Sequence, residues 1–515
     1  MTHTTNPVAV AGVLGPQISQ HWPAAAAGLV FLVFALLAQR WLTPDPLAGV
    51  PVVGKGNRSA RRTQFLQGRA EQLYLEGYRQ FKDSVFRVTK TLKKDTICVP
   101  PKYLLELKKA PDNVISFTKA VYDSMHVRYT RIPVDNPVVD HAVRGSLTPA
   151  LPRLNASIAD EVAESLRLEL PQSTTDWSEV HINAKIQRII AMVSGRVFIG
   201  PELCRDERYI EASINYTVDL MAAVHAIGRI PAFLRPIVAP WQAATRKLYR
   251  RTDDAEAVFR PIVTARREAA EKGDYQEPDD MLQWILNAQA KFGALSDRDL
   301  AISQLNVSFA AIHTTSMTTL NAVYWLAAKP ELIPMLRDDV QQALVESGGE
   351  FTSGALQNMK RLDSFLKEVM RLTPLSVGSF QRKVLKPLTL PNGQTIPEGM
   401  TIEIPAAGIN HDAELFPNPE TFDALRFYRL RESKVHAASG TQAAEVVMQA
   451  QFVSVGNTYL AFGYGKHACP GRFFAANEIK MILANLLCNY DVRLPDGVTE
   501  RYKNLPMGAS VSAHL

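Results

Sequence analysis

Near the end of the chain, the order Phe462-Gly-Tyr-Gly465-Lys-His467-Ala-Cys469-Pro-Gly471 gathers residue types that can do chemistry. One cysteine lies between glycines, shortly after a phenylalanine and just before a predicted helix. Its thiolate would be a soft, strongly donating ligand for a metal. The flanking glycines permit tight turns at positive φ and bring backbone N–H groups close to the sulfur. Such N–H groups tune the charge on a ligating atom. Phe462 can cover the sulfur and keep water away. A small buried cysteine in a glycine-rich turn is the competing reading. The number of fixed residue types at fixed spacing favours a ligand loop.

Two further constellations belong with this loop. Glu368-Val-Met-Arg371 places an acid and a base three residues apart, on one face of a helix predicted over 363–372. Phe309-Ala-Ala-Ile-His313-Thr314-Thr315-Ser lies in the middle of the longest predicted helix, 297–329. Ser296 and Asp299 give that helix a capping-box-like start, and Pro330 gives it a stop.

The cysteine segment resembles the ligand loop of the cytochrome P450 monooxygenases, and every fixed position of F-x-x-G-x-[RH]-x-C-x-G is filled. The resemblance implies haem b with Cys469 as the axial ligand, and Phe462 and Gly465 as parts of the loop that holds it. A thiolate there pushes electron density toward a bound O–O bond. His467 and Arg382 match positions that bind the haem propionates, and Arg144 resembles the arginine of a W-x-x-x-R helix, with Asp140 where the tryptophan would stand. Thr314 falls on the threonine of the family's oxygen-site helix, which implies delivery of protons to the oxygen site. Ala311 replaces the usual glycine there. His313 replaces the usual acid and is expected to relay protons. Glu368, Arg371 and Arg426 correspond to a buried Glu–Arg–Arg cluster that sets the cysteine loop. The details of both motifs are most similar to ent-kaurene oxidases and indole-diterpene oxygenases of fungal secondary metabolism.

The elements that must position these residues are mostly helical. Apolar residues recur at helical spacing near 63–82, 155–170, 180–198, 208–226 and 241–272. Strand signals are few and late: 384–390 and 400–405 flank the turn Pro391-Asn-Gly393 and read as a hairpin. The fold class is therefore mainly α with small β-sheets, and the resemblance implies a helical prism enclosing the haem. An apolar pocket is expected from Phe117, Met125, Phe309, Ala310, Val377 and Met507. The run from Ile230 to Trp241 is apolar but broken by proline, and reads as a segment that dips into a bilayer or as a buried loop.

The 515 residues carry 46% hydrophobic and 21% charged side chains, enough for a large core. Residues 22–42 are uncharged until Arg40 and flanked by Trp22 and Trp41, which reads as one transmembrane anchor. Arg58, Arg61 and Arg62 follow it, so the positive-inside rule puts the bulk of the chain in the cytosol. The expected order is a lumenal segment 1–21, the anchor, a Pro/Gly hinge 43–56 and a catalytic domain 57–515, on the endoplasmic reticulum. The net charge of +6 comes without a zinc-finger spacing or a dense basic block, which argues against nucleic acid. It fits an acidic electron donor. The 4 cysteines form no C-x-x-C pair. No dinucleotide loop is present either, so the resemblance implies an NADPH-dependent flavoprotein reductase, with cytochrome b5 as a second donor. The expected reaction is oxidation of a lipophilic small molecule. A haem-thiolate isomerase or dehydratase that needs no reductase is the alternative. Cys469→Ala should abolish the thiolate-type absorption band of the reduced carbon-monoxide complex; survival of that band would remove Cys469 as the ligand.

Overall fold

The computed structural model describes residues 26–28, 30–31, 34–35, 47–92, 94–272, 275–437, 447–507 and 510–512. Two compact units emerge, Met1–Pro51 and Val52–Leu515. In the first, residues 26–28, 30–31 and 34–35 are helical, and Val50 N–H closes a turn on the Leu47 carbonyl at 2.9 Å. Among the described residues no helix is long and apolar enough to cross a membrane. The segment 1–21, and most of the anchor expected over 22–42, lie outside the described residues. The hinge expected over 43–56 ends early. Val52 bridges to Arg87, and Val53 N–H bonds the Arg87 carbonyl at 3.0 Å, so these β-branched residues already belong to the second unit.

The second unit is built from long helices: α1 (Thr148–Glu169), α2 (Ile182–Phe198), α3 (Glu207–Arg229), α4 (Ala243–Ala270), α5 (Asp297–Ala328), α6 (Lys360–Leu372), α7 (Arg426–Ala437) and α8 (Arg472–Asn489). The first six correspond to periodicities in the sequence. α5 begins where Ser296 Oγ accepts the Asp299 N–H at 3.1 Å, and Asp297 and Asp299 face the positive end of its dipole. Its buried residues lie on every side, as expected of a helix that threads the core rather than covering it. One large apolar cluster joins α1, α2, α3, α4, α5, α6 and α8.

The sheet differs from the sequence reading. Strands β1 (Phe86–Val88), β2 (Thr96–Cys98), β3 (Ile115–Ser116), β4 (Ser379–Val384) and β7 (Thr401–Ile404) form one sheet in the order β1-β2-β7-β4-β3. β2 and β7 run parallel, with Cys98 opposite Glu403. The turn at 391–393 closes only the small hairpin of β5 (Leu388–Thr389) and β6 (Thr395–Ile396), while the longer arms pair as β4 with β7. The early strands escaped notice because each is two or three residues long, too short for alternation to register. β8 (Leu505–Met507) and β9 (Ser510–Ser512) make a separate hairpin.

A buried polar network on α6 fixes the course of the chain beyond that helix. The Glu368 carboxylate accepts two bonds from Arg371 at 2.8 Å and two from Arg426 Nε at 3.1 Å. Arg371 also donates to the carbonyls of Asn410 and Pro419 at 2.6 and 2.7 Å, and Arg426 to that of Pro417 at 2.6 Å. One turn earlier, Asp363 pairs with Lys480 on α8 at 2.6 Å and with Arg431 on α7, and accepts the Phe452 N–H at 2.9 Å. Lys367 donates to the carbonyls of Gln449 and Gln451 at 2.7 and 2.9 Å and to Ser454 Oγ. α6 thus holds residues 410–426 and 449–454 at once.

Burial opposes ionisation of Asp363, but Lys480 and Arg431 overcome it and hold the carboxyl below its usual range. Its contribution is therefore complete above the unfolded value of about 4 and is lost as pH falls from there through the lower folded value. Asp363→Ala should strand two buried cations and lower the unfolding free energy by about 3–5 kcal/mol at pH 7. In denaturant titrations the gap between variant and parent should shrink below about pH 4; a gap independent of pH would contradict the network.

Candidate active site

The cysteine loop is closed by its own backbone. Gly463 and Gly465 take φ of 74° and 71°, the left-handed region where a side chain is disfavoured. Cys469 N–H bonds the Phe462 carbonyl at 2.8 Å, and Ala468 N–H bonds that of Gly465 at 3.0 Å. The Phe462 ring packs edge-on against Phe452 at 5.5 Å. Phe452 is the residue whose N–H is held by Asp363, so the loop connects back to α6 through one aromatic contact. Ser379 Oγ also bonds the Leu460 carbonyl at 3.1 Å, tying the loop to β4.

The sulfur sits just before the N-terminus of α8. Burial pushes the Cys469 thiol up from its ordinary value; the N–H groups of Gly471 and Arg472 and the charges of Arg472 and Arg144 act in the opposite direction. These are the groups that would favour a thiolate once it gained a cation. The surface of Cys469 is nevertheless open.

The cations nearby fit a haem with anionic propionates. Arg382 is 5% exposed, and its guanidinium donates to the Gln381 carbonyl at 2.8 Å. It lies over the rings of Phe380 at 3.9 Å and Phe117 at 5.4 Å, and no carboxylate among the described residues forms an ion pair with it. Burial pushes Arg382 down to about 10, with Asp112 opposing. A bulge in β4 between Ser379 and Arg382, with Phe380 at φ 53°, aims the two side chains together. His467 stacks on Phe117 at 5.0 Å and reaches Asp112 Oδ1 at 3.5 Å; burial and the Arg382 charge lower its pKa. A buried cation without a carboxylate partner, beside a second basic group, is the donor set that a propionate requires.

Arg144 also reaches the loop. Its Nε bonds both oxygens of Asp140 at 3.0 Å, and Nη2 donates to the Lys466 carbonyl at 3.3 Å. Asp140 thus holds the arginine by charge.

On α5, Ala310 and Thr314 are exposed one turn apart, while Ile312, Thr315 and Ser316 are buried. α5 packs against α8, the helix that the cysteine loop leads into. Thr314 Oγ1 donates to the Ala310 carbonyl at 2.7 Å and lies 3.3 Å from that of Ala311. With its proton committed to the backbone, the hydroxyl offers lone pairs to the space. The helix continues unbroken past Ala311. His313 Nε2 bonds the Ile214 carbonyl of α3 at 2.8 Å.

Of the expected pocket residues, Phe309 and Met125 are partly buried against the main core, and Phe117 faces Arg382 and His467. Val377 is a correction. It is fully buried in the sheet-side cluster with Val53, Phe65 and Tyr74, and is therefore packing rather than pocket wall. Met507 is in β8. Sequence reasoning missed Asp112, which pairs with Lys466 at 2.8 Å, and Arg472, which donates to the Cys469 carbonyl at 2.8 Å. Arg472 could have been found from its place in the first turn of the helix after the loop. Asp112 lies far away in sequence and carries no local signal.

Comparison with known proteins agrees with this geometry. The family model for cytochrome P450 matches residues 76–513. The cytochrome P450 monooxygenase ATR3 of Stachybotrys chlorohalonatus is 39% identical over 417 residues, covering 81% of this chain and 86% of its own. AN1598 of Emericella nidulans, also a cytochrome P450 monooxygenase, is 34% identical over 446 residues, covering 86% and 81%. The cytochrome P450 monooxygenase braC of Annulohypoxylon truncatum is 32% identical over 498 residues, covering 96% of each chain.

Arg382→Ala should lower the haem content of purified protein severalfold while leaving its far-ultraviolet circular dichroism unchanged, because the side chain stabilises an anion rather than the fold. Full haem content would show that Arg382 is ordinary packing.

Proposed function

Because the chain belongs to the cytochrome P450 family, we propose that it is a membrane-tethered fungal monooxygenase of secondary metabolism, acting on a lipophilic substrate of the terpenoid or indole-diterpene kind. The family is oxidoreductase in activity and carries haem b on a cysteine thiolate. When bound, that haem supplies the oxygen-activating chemistry. The residues of this chain have other tasks. Cys469 would ligate the iron through its thiolate, within a loop that Phe462 and Gly465 shape. Arg382 would neutralise a propionate and His467 would offer one a ring N–H, with Arg144 steadying the loop at Lys466. Thr314 Oγ1 would accept a hydrogen bond from water and so orient the water that delivers protons to the site. Glu368, Arg371 and Arg426 keep the loop in register and touch no substrate.

The observation that carries this reading is the pairing of an open sulfur at the start of α8 with an open threonine on the core helix packed against it. Membrane attachment is supported by a second surface. Between α3 and α4, Phe233, Ile237 and Trp241 are 79%, 70% and 74% exposed. Single exposed apolar residues are ordinary, but three large ones in one short segment suit a lipid surface. In this reading, residues 22–42 anchor the chain in the endoplasmic reticulum with 1–21 in the lumen, and substrate enters from the bilayer. Electrons come from NADPH through a flavoprotein reductase on the same membrane, with cytochrome b5 able to supply the second.

Reductase and NADPH should be obligatory for oxidation of a panel of terpenoid precursors. Turnover without them would identify the isomerase or dehydratase instead. In the reconstituted system, Thr314→Ala should keep the thiolate-type spectrum, lower product per NADPH by about tenfold or more and raise peroxide correspondingly; unchanged coupling would remove Thr314 from proton delivery.

A further inference from the structure

We propose that His313, the residue in the place of the usual acid, is a positioning residue that latches α3 onto α5 rather than a proton carrier. Its Nε2 lies 2.8 Å from the Ile214 carbonyl, in the interior of α3. A carbonyl only accepts, so Nε2 carries the proton and donates it. Burial lowers the His313 pKa, which favours the neutral ring with that proton fixed on Nε2. A relay needs a basic partner on each side of the ring. An amide oxygen is no base, so one side of this ring is closed to proton transfer.

The bond matters because of what stands on either side of it. Successive residues of a helix point about 100° apart, so fixing the direction of His313 fixes that of Thr314. Ile312 is fully buried and Thr314 is exposed, so the roll of α5 about its axis sets how Thr314 is presented. On its other side, α3 is held to α4 by Asp219, which pairs with Lys247 at 2.8 Å and Arg251 at 3.0 Å. α3 is thus pinned to α4 through a carboxylate and to α5 through His313. It leads directly into the apolar segment 230–241. The Ile214 carbonyl has a second lone pair available, so the latch need not cost α3 its own helical bond.

The latch is a property of the two helices and stands apart from the monooxygenase reading; its effect on proton delivery rests on Thr314 acting as described above. The chemistry of the side chain at 313 decides between latch and relay. Glutamine can donate to a carbonyl, alanine cannot, and aspartate would turn an acceptor against an acceptor.

Hydrogen–deuterium exchange of the full chain should show faster exchange of the α3 amides around 212–218 in His313→Ala, by about fivefold. His313→Asp should exchange at least as fast, and His313→Gln should approach the parent. Peroxide released per NADPH consumed with the reductase should follow the same order. Unchanged α3 exchange in both the alanine and aspartate variants would overturn the latch. So would an aspartate variant with better coupling than the glutamine variant, because that order is the signature of a relay. If the protein shows no reductase-driven turnover at all, the exchange measurement still decides the question.

Discussion

A fully buried carboxylate gripped by two guanidinium groups is the constraint on which this structure depends. Glu368 is fully buried, and its charge would be intolerable alone. Arg371 and Arg426 make it tolerable, and their remaining N–H groups must then find acceptors in the same interior. They find backbone carbonyls between 410 and 421, and so convert a charge problem into a fixed chain path. Asp363 and Lys367 repeat the device on the same helix, with 449–454 as the captured segment. None of these side chains touches the sulfur. They determine where Phe452 stands, and Phe452 determines where Phe462 can pack.

The loop beyond Phe462 has little freedom left. Its turns are set by glycines at positive φ and by the Cys469–Phe462 backbone bond. Around it stand the start of α8, Arg472, Arg144 and Arg382, with Asp140 on Arg144 and Asp112 on Lys466. Such an arrangement suits a cofactor that brings a ligated thiolate and two carboxylates together. Arg382, with no carboxylate ion pair among the described residues, is the cation left for such a guest.

How much of this was legible in the sequence depended on the range of each interaction. Local signals were clear. The cysteine loop is contiguous, Ser296 caps its own helix, and Glu368 and Arg371 are separated by less than one turn. Arg426 could be joined to them through family resemblance, and the geometry brings it there. What stayed hidden was everything that depends on distant partners. Asp112 meets Lys466 and His467 only after folding, and the two- and three-residue strands β1, β2 and β3 exist because a neighbouring strand pairs with them. Val377 shows the opposite error. Its apolar character fits pocket and core equally well, and only the sheet-side cluster around it decides. His313 was assigned from its place in a motif, whereas its hydrogen bond is to a carbonyl 99 residues earlier in the chain.

The exposed carboxylate of Asp140 ties Arg144, and with it the loop, to the ionic strength of the surroundings. An indole beside Arg144 would rest on surface contact and be indifferent to dissolved ions. A carboxylate half open to solvent is not, since charges at a protein surface are screened over about 10 Å at 0.1 M ionic strength. Arg144 holds the Lys466 carbonyl from that exposed pair, so this side of the cysteine loop is built to loosen in strong electrolyte. The guanidinium–carboxylate cluster on α6 lies beyond the reach of such ions and is built to stay.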